Sequence, residues 1–320
     1  MSHFALSCEG CGAPLEANWR DLVVVCPACG VHNLPGRPGG PAPLTRPDDG
    51  RPRLNLGGRT WALEGRLGVG DSAVVYRGRW VYRLGEAVVV KVLAAPADAD
   101  LLRREWDTLR ALHERPVQGG AHFLGRLPTP VAMGLVQSDR PRLTTVYGWK
   151  SGFVHTLTDV GRAYPQGVPG PVMVWVLKRL LELLGYVHRA GFVHGAVTPD
   201  HVLVHPRDHG ALLIGWTAAQ AQSGAPLPFV ARPARWLSLY EGHSALSAAL
   251  DLQMACRCAR VAAGWELPGK ERPAPIERAL TRALRGEETD GWALADRLSA
   301  ASIEAYGPAA YNPLPMPGWR

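Results

Sequence analysis

The sequence predicts an α+β chain: a small β-rich lobe, then a larger helical lobe, with a short cysteine-held module ahead of both. Three observations carry this prediction. Short β-branched runs fill 60–149, whereas amphipathic helical patterns dominate from 172 onward. Four of the six cysteines stand in two pairs before position 30. Between the cysteines and the patterned chain lies a Pro- and Gly-rich stretch without periodicity. The expected segments are a cysteine module (1–33), a linker (34–57), a β-rich lobe (58–150), a helical lobe (151–304) and a tail too short to fold alone (305–320).

The first element is Cys8-Glu9-Gly10-Cys11-Gly12, followed after fourteen intervening residues by Cys26-Pro27-Ala28-Cys29-Gly30. Two residues between cysteines let both sulfurs reach one metal ion from a tight turn, and the glycine behind each pair permits that turn. Four thiolates suit a closed, tetrahedral, structural Zn²⁺ site with Cys8, Cys11, Cys26 and Cys29 as ligands. Two disulfides are the alternative, disfavoured by the spacing and by an intracellular setting. The segment resembles zinc ribbons, which bind protein or nucleic acid. So short a module lacks a core of its own and must be held by the metal. Cys256 and Cys258 lie in an apolar helical pattern and are expected in the core.

Strands are expected at 60–66, 73–81, 86–93, 131–136, 143–149, 202–205 and 211–214, and helices at 98–114, 172–190, 244–263, 276–285 and 292–304. Asp98 is the expected N-cap of the first helix. A Gly turn, Leu67-Gly68-Val69-Gly70-Asp71-Ser72-Ala73, joins the first two strands, and Val88-Val89-Val90-Lys91 follows on the next. The helix after it offers Glu105. This ordered set resembles the N-lobe of protein kinases. There the Gly loop, here Gly68 and Gly70, covers the ATP phosphates, the strand lysine (Lys91) grips them, and the helix glutamate (Glu105) pairs with the lysine. Ala73 replaces the third glycine, and Val89 replaces the small alanine beside the adenine.

The stretch Gly191-Phe192-Val193-His194-Gly195-Ala196-Val197-Thr198-Pro199-Asp200-His201 resembles the kinase catalytic loop, and the resemblance runs over roughly 58–304. Its reactive positions are altered. The family's catalytic Asp falls on Ala196, its Mg²⁺-binding Asn on His201, and the Asp of its Asp-Phe-Gly motif on Gly215 in Gly215-Trp216-Thr217. Ala and Gly neither accept a proton nor bind Mg²⁺, and phosphoryl transfer depends on both. Asp200 and Asp208 are the nearest substitutes, the first aimed away from the phosphates and the second in a turn. The supporting residues persist: His194 and Asp251 match the family's loop braces, and Glu241 matches the Glu after the activation segment. The resemblance therefore implies a pseudokinase, for which no catalytic residue is named.

Composition bounds the remaining classes. The chain has 320 residues, 47% hydrophobic and 20% charged, which excludes wholesale disorder and fibrous folds. The most apolar stretches, 172–187 and 245–264, are interrupted by Lys178, Arg179, Glu182, Asp251, Arg257 and Arg260, so no membrane span or membrane partner is expected. Residues 1–8 carry no secretion pattern, and the expected location is the cytoplasm. The net charge of +7 is almost all arginine, as a GC-rich bacterial genome would produce, and forms no single run. Of eleven tryptophans, Trp149, Trp216, Trp236, Trp292 and Trp319 are expected near surfaces. The leading expectation is a catalytically inactive scaffold or regulatory protein that recognises a protein partner. ATP held without Mg²⁺ stays open as a variant. The alternatives are an atypical nucleotide-dependent enzyme of the same superfamily and a nucleic-acid-binding protein acting through the ribbon and the arginine surface.

Overall fold

The computed structural model describes residues 3–8, 13–18, 24–28, 32–33, 51–70, 72–82, 86–115, 117–136, 141–221, 238, 240 and 243–316. The chain divides into two compact units. The first is Met1–Trp106 with Pro130–Trp149, and the second is Asp107–Thr129 with Lys150–Arg320. Cys11, Cys29, Asp71, Trp236, Glu241, Trp319 and linker residues 34–50 lie outside the described residues.

In the first unit, β1 (His3–Ser7) pairs antiparallel with β2 (Pro14–Asn18), and β3 (Val24–Val25) with β4 (His32–Asn33). A six-stranded sheet follows. It comprises β5 (Arg53–Leu56), β6 (Arg59–Val69), β7 (Ala73–Trp80), β8 (Ala87–Leu93), β9 (Thr129–Val136) and β10 (Arg142–Gly148), in the order β5-β6-β7-β8-β10-β9. Period-two alternation divides β8 between faces. Val88, Val90 and Val92 join Leu54, Trp61, Leu63, Val74 and Tyr76 in one buried cluster. Leu93, on the opposite face with Val89 and Lys91, packs with Ala73, Leu102 and Leu143. Strand β5 lies inside the stretch expected to be linker. Its Leu54 and Leu56 are buried, and its backbone pairs with β6, so order begins before position 58.

Helix α1 (Ala99–Glu114) buries Leu101, Leu102, Leu109 and Leu112. A 3-10 turn, Pro96–Asp98, leads directly into it, with Asp98 as the residue immediately before the helix. The stretch Asp107–Thr129 groups with the second unit, not with the β-rich lobe as expected. The cause is local bonding: Tyr186 Oη donates to Leu112 O at 3.2 Å and Arg115 Nη1 to Ala190 O at 2.7 Å.

The second unit contains α2 (Gly120–Phe123), β11 (His155–Thr156), α3 (Leu157–Ala163), α4 (Gly170–Arg189), β12 (Phe192–Val193), β13 (Val202–His205), β14 (Gly210–Leu213), β15 (Gln220–Ala221), α5 (Ala248–Ala262), α6 (Ala274–Leu284) and α7 (Gly291–Tyr306). Strands β11, β13 and β14 form one small sheet; β12 and β15 form another. Helix α4, buried along Val172, Val176, Leu180, Leu183 and Leu184, is the centre of the helical core. Caps set three helix starts: Thr156 with Asp159 in a capping box on α3, Ser247 on α5, and Asp290 on α7. The Ser247 cap explains why α5 begins later than its apolar pattern suggests. Trp216 is fully buried rather than near the surface, its Nε1–H bonded to Leu213 O at 2.9 Å. Among the described residues no helix is long and apolar enough to cross a membrane.

Candidate functional site

In the first unit, the face of β8 opposite the valine core presents Lys91, and α1 carries Glu105 to it. Lys91 Nζ donates to both carboxylate oxygens, at 2.8 and 2.7 Å. The pair is well shielded, with 14% of the lysine side chain exposed and 3% of the glutamate's. Register sets Arg77, Val89 and Tyr147 in one row across β7, β8 and β10, on the same face as Lys91. The Tyr147 hydroxyl is buried near Glu105. Burial first, then the Glu105 charge, hold its pKa well above the usual phenol value. Arg77 lies over Trp149, 5.1 Å from the ring centroid, and pairs with Glu64 at 3.2 Å. Gly68 pairs with Val75 at the end of β6, and Gly70 N–H donates to Ala73 O at 2.8 Å. A methyl group on Gly68 would meet nothing within 4 Å, so packing does not require glycine there.

In the second unit, a fully buried carboxylate organises the loop between β12 and β13. Asp251 on α5 accepts from His194 N–H at 2.8 Å, from Gly195 N–H at 2.8 Å and from His188 Nε2–H at 2.9 Å. His194 is locked in one neutral tautomer: Nε2–H donates to Ile214 O at 3.0 Å, and Nδ1 accepts from Ala196 N–H at 3.2 Å. Burial pushes its pKa down to about 3, against the pull of Asp251. Tyr240 Oη–H closes the loop onto Gly195 O at 2.9 Å.

The remaining three positions singled out by sequence lie together. Ala196 is buried, and its carbonyl accepts from His201 Nδ1–H at 2.8 Å. Gly215 follows β14 with φ 77° and ψ 50°, left-handed backbone that favours glycine. A Cβ placed there would stand 2.4–2.6 Å from three atoms of the His201 imidazole. The ring therefore fills the volume into which a carboxylate at 215 would project. A Cβ at Gly195 would likewise meet Leu246 at 2.7 Å. Asp200 Oδ1 accepts from Thr158 Oγ1–H at 2.8 Å, and Asp208 pairs with His205 at 3.2 Å in its turn. Each near carboxylate thus has a local partner. Cys256 and Cys258 are fully buried with thiol pKa values pushed up by burial, Cys256 to about 12.

In the N-terminal module, Cys8 and Cys26 are buried with Leu15 in one cluster, so one cysteine from each pair reaches the same small core. Among the described residues no group of three or more His, Cys, Asp or Glu side chains is placed to hold a metal ion. Sequence reasoning missed His188, Thr158, Tyr147 and Tyr240. Only His188 left a trace, as the one imidazole on the apolar stretch of α4.

No family model and no curated protein sequence matches the chain. Solved structures do match. The BubR1 kinase domain aligns at 13% identity over 83% of this chain and 86% of its own, with a TM-score of 0.57. Vaccinia related kinase 3 aligns at 17% identity over 83% and 94%, with a TM-score of 0.58. A rhoptry kinase from Toxoplasma gondii aligns at 16% identity over 79% and 83%, with a TM-score of 0.57. The fold is kinase-like, with a sheet-rich N-terminal part and a helical C-terminal part.

Proposed function

We propose that this kinase-fold chain transfers no phosphate and acts as a scaffold or regulatory protein that recognises a protein partner. One observation carries the reading: the His201 imidazole, tied to Ala196 O, occupies the space of a side chain at Gly215. The three positions that would supply a proton acceptor and two metal ligands hold a methyl group, an imidazole and a hydrogen. Mg²⁺ does not fit such a set, because it is held by carboxylates and other oxygen donors. The braces around them, Asp251, His194 and Tyr240, remain bonded, which preserves the loop's shape without its chemistry.

The Lys91–Glu105 pair favours a second component, a triphosphate held without metal. One cation then faces most of the charge, and affinity should be modest. The bulk of Val89 and Tyr147 beside it narrows the space for a base. In the N-terminal module we assign Cys8, Cys11, Cys26 and Cys29 to a structural Zn²⁺. The convergence of Cys8 and Cys26 in one cluster supports this, and four thiolates would close the coordination shell.

The test is a radiolabelled phosphotransfer assay with Mg²⁺, Mn²⁺ or Zn²⁺, run beside thermal melts with ATP and ADP. The expected result is no transfer under any metal, and at most a small, Mg²⁺-independent rise in Tm. Metal-dependent autophosphorylation that vanishes in Lys91→Met/Glu105→Leu would overturn the proposal and restore the enzyme reading.

A further inference from the structure

Building on the partner-binding reading above, we infer that the helical unit carries a docking groove for an extended, uncharged peptide segment of a protein partner, and that residues 311–316 of the chain itself fill it. Past α7 the described residues, 307–316, form no helix or strand. Among the described residues, 308–316 make no backbone-to-backbone hydrogen bond to the rest of the molecule. Side chains hold the segment instead. The Tyr311 ring stacks on His209 at 4.4 Å, and His209 stacks on Trp175 of α4 at 4.3 Å, with interplanar angles of 1° and 5°. Tyr311 Oη–H reaches Arg207 O at 3.2 Å, and Tyr164 Oη–H donates to Pro315 O at 2.7 Å.

Leu314 and Met316 are 2% and 6% exposed, whereas Pro313 and Pro315 beside them face solvent. This in-out alternation is that of an extended ligand whose alternate side chains enter pockets. Gly307, with φ 82° and ψ −168°, separates the segment from α7 in a conformation nearly restricted to glycine, a natural pivot. The occupant defines the ligand chemistry: an aromatic plate, an aliphatic side chain three residues later, another two beyond that, prolines between them and no charge. A partner segment of that pattern would compete with the resident one. The resident segment has the advantage of tethering, at an effective concentration on the order of millimolar.

The probe is a fluorescein-labelled peptide of residues 309–316, titrated into the full chain and into the full chain carrying Tyr311→Ser, Leu314→Ser and Met316→Ser. The loosened chain should bind the peptide at least about tenfold more tightly than the unaltered chain. Adding His209→Ala to it, or Tyr311→Ala to the peptide, should remove most of that binding. Hydrogen exchange on the unaltered chain is the second readout, independent of any variant. The amides of 309–312, 314 and 316 should exchange far faster than those of α4 and α7. Two results overturn the proposal: a folded, loosened chain that does not bind the peptide, or protection of 309–316 equal to that of α7. Neither readout involves nucleotide, so phosphotransfer activity would defeat the scaffold reading and leave the groove standing.

Discussion

His201 and Gly215 share one volume, and that coupling governs what a substitution at either can do. Gly215→Asp must place a Cβ against the imidazole in a left-handed backbone, and should cost about 2–4 kcal/mol. It should restore no phosphotransfer. His201→Asn beside it frees the space, and the double variant should melt above the single one. Equal melting of the two would show that the ring is not the obstacle. His194 makes a second residue-scale prediction. Its folded-state pKa of about 3 lies below the ordinary imidazole value of 6.5, so between those values the unfolded chain binds the extra proton. Its contribution is complete above about pH 6.5 and is lost as pH falls toward 3, at up to about 1.4 kcal/mol per pH unit. Denaturant unfolding between pH 7 and 4 should show this slope, and His194→Gln should reduce it by close to one proton.

At the scale of elements, β8 and α1 are joined by a buried ion pair whose halves are unequal when separated. Lys91→Met leaves the Glu105 carboxylate shielded and unpaired, and should destabilise the first unit by about 3–5 kcal/mol. Lys91→Met/Glu105→Leu should cost far less, and a double-mutant cycle by chemical denaturation measures the difference. Additive losses would mean that the pair carries no coupling. The same elements show what a sequence reveals. Alternation in Val88-Val89-Val90-Lys91-Val92 places the lysine opposite the core, and the resemblance to the kinase N-lobe implied Glu105 on the following helix as its partner, so both residues were legible. The short elements were not. Strand β11 has two residues and α2 has four, too few for any period; tertiary contacts make them. Strand β5 was hidden because it follows directly on a Pro- and Gly-rich run. Tyr240 and His188 were hidden because their partners, Gly195 and Asp251, lie 45 and 63 residues away. The plug at Gly215 was half legible: the sequence showed two missing ligands, and only the three-dimensional arrangement shows that one has filled the place of the other.

At the scale of the whole molecule, the two ends of the chain are stabilised by different physics. The helical unit buries complete faces of α4 and α5, and the six-stranded sheet buries a cluster built around Trp61. Among the described residues of the N-terminal module, Cys8, Leu15 and Cys26 are buried together, with Ala13 and Val24 packed against them. In a module of about thirty residues, apolar burial at about 25 cal/mol per Å² does not by itself offset the entropy of ordering the chain. The proposed Zn²⁺ must supply the difference, as in modules that fold only with metal bound. A strong chelator should therefore remove about one equivalent of zinc per chain and abolish protection from hydrogen exchange across 1–33. Protection in the six-stranded sheet and in α4, α5 and α7 should not change. Cys26→Ser should reproduce the chelator's effect without chelator. Zinc-free protein with the module still protected would exclude the metal. Loss of protection throughout the chain would mean that the module is part of the main cooperative unit, and that the Pro- and Gly-rich segment beyond it does not isolate the two.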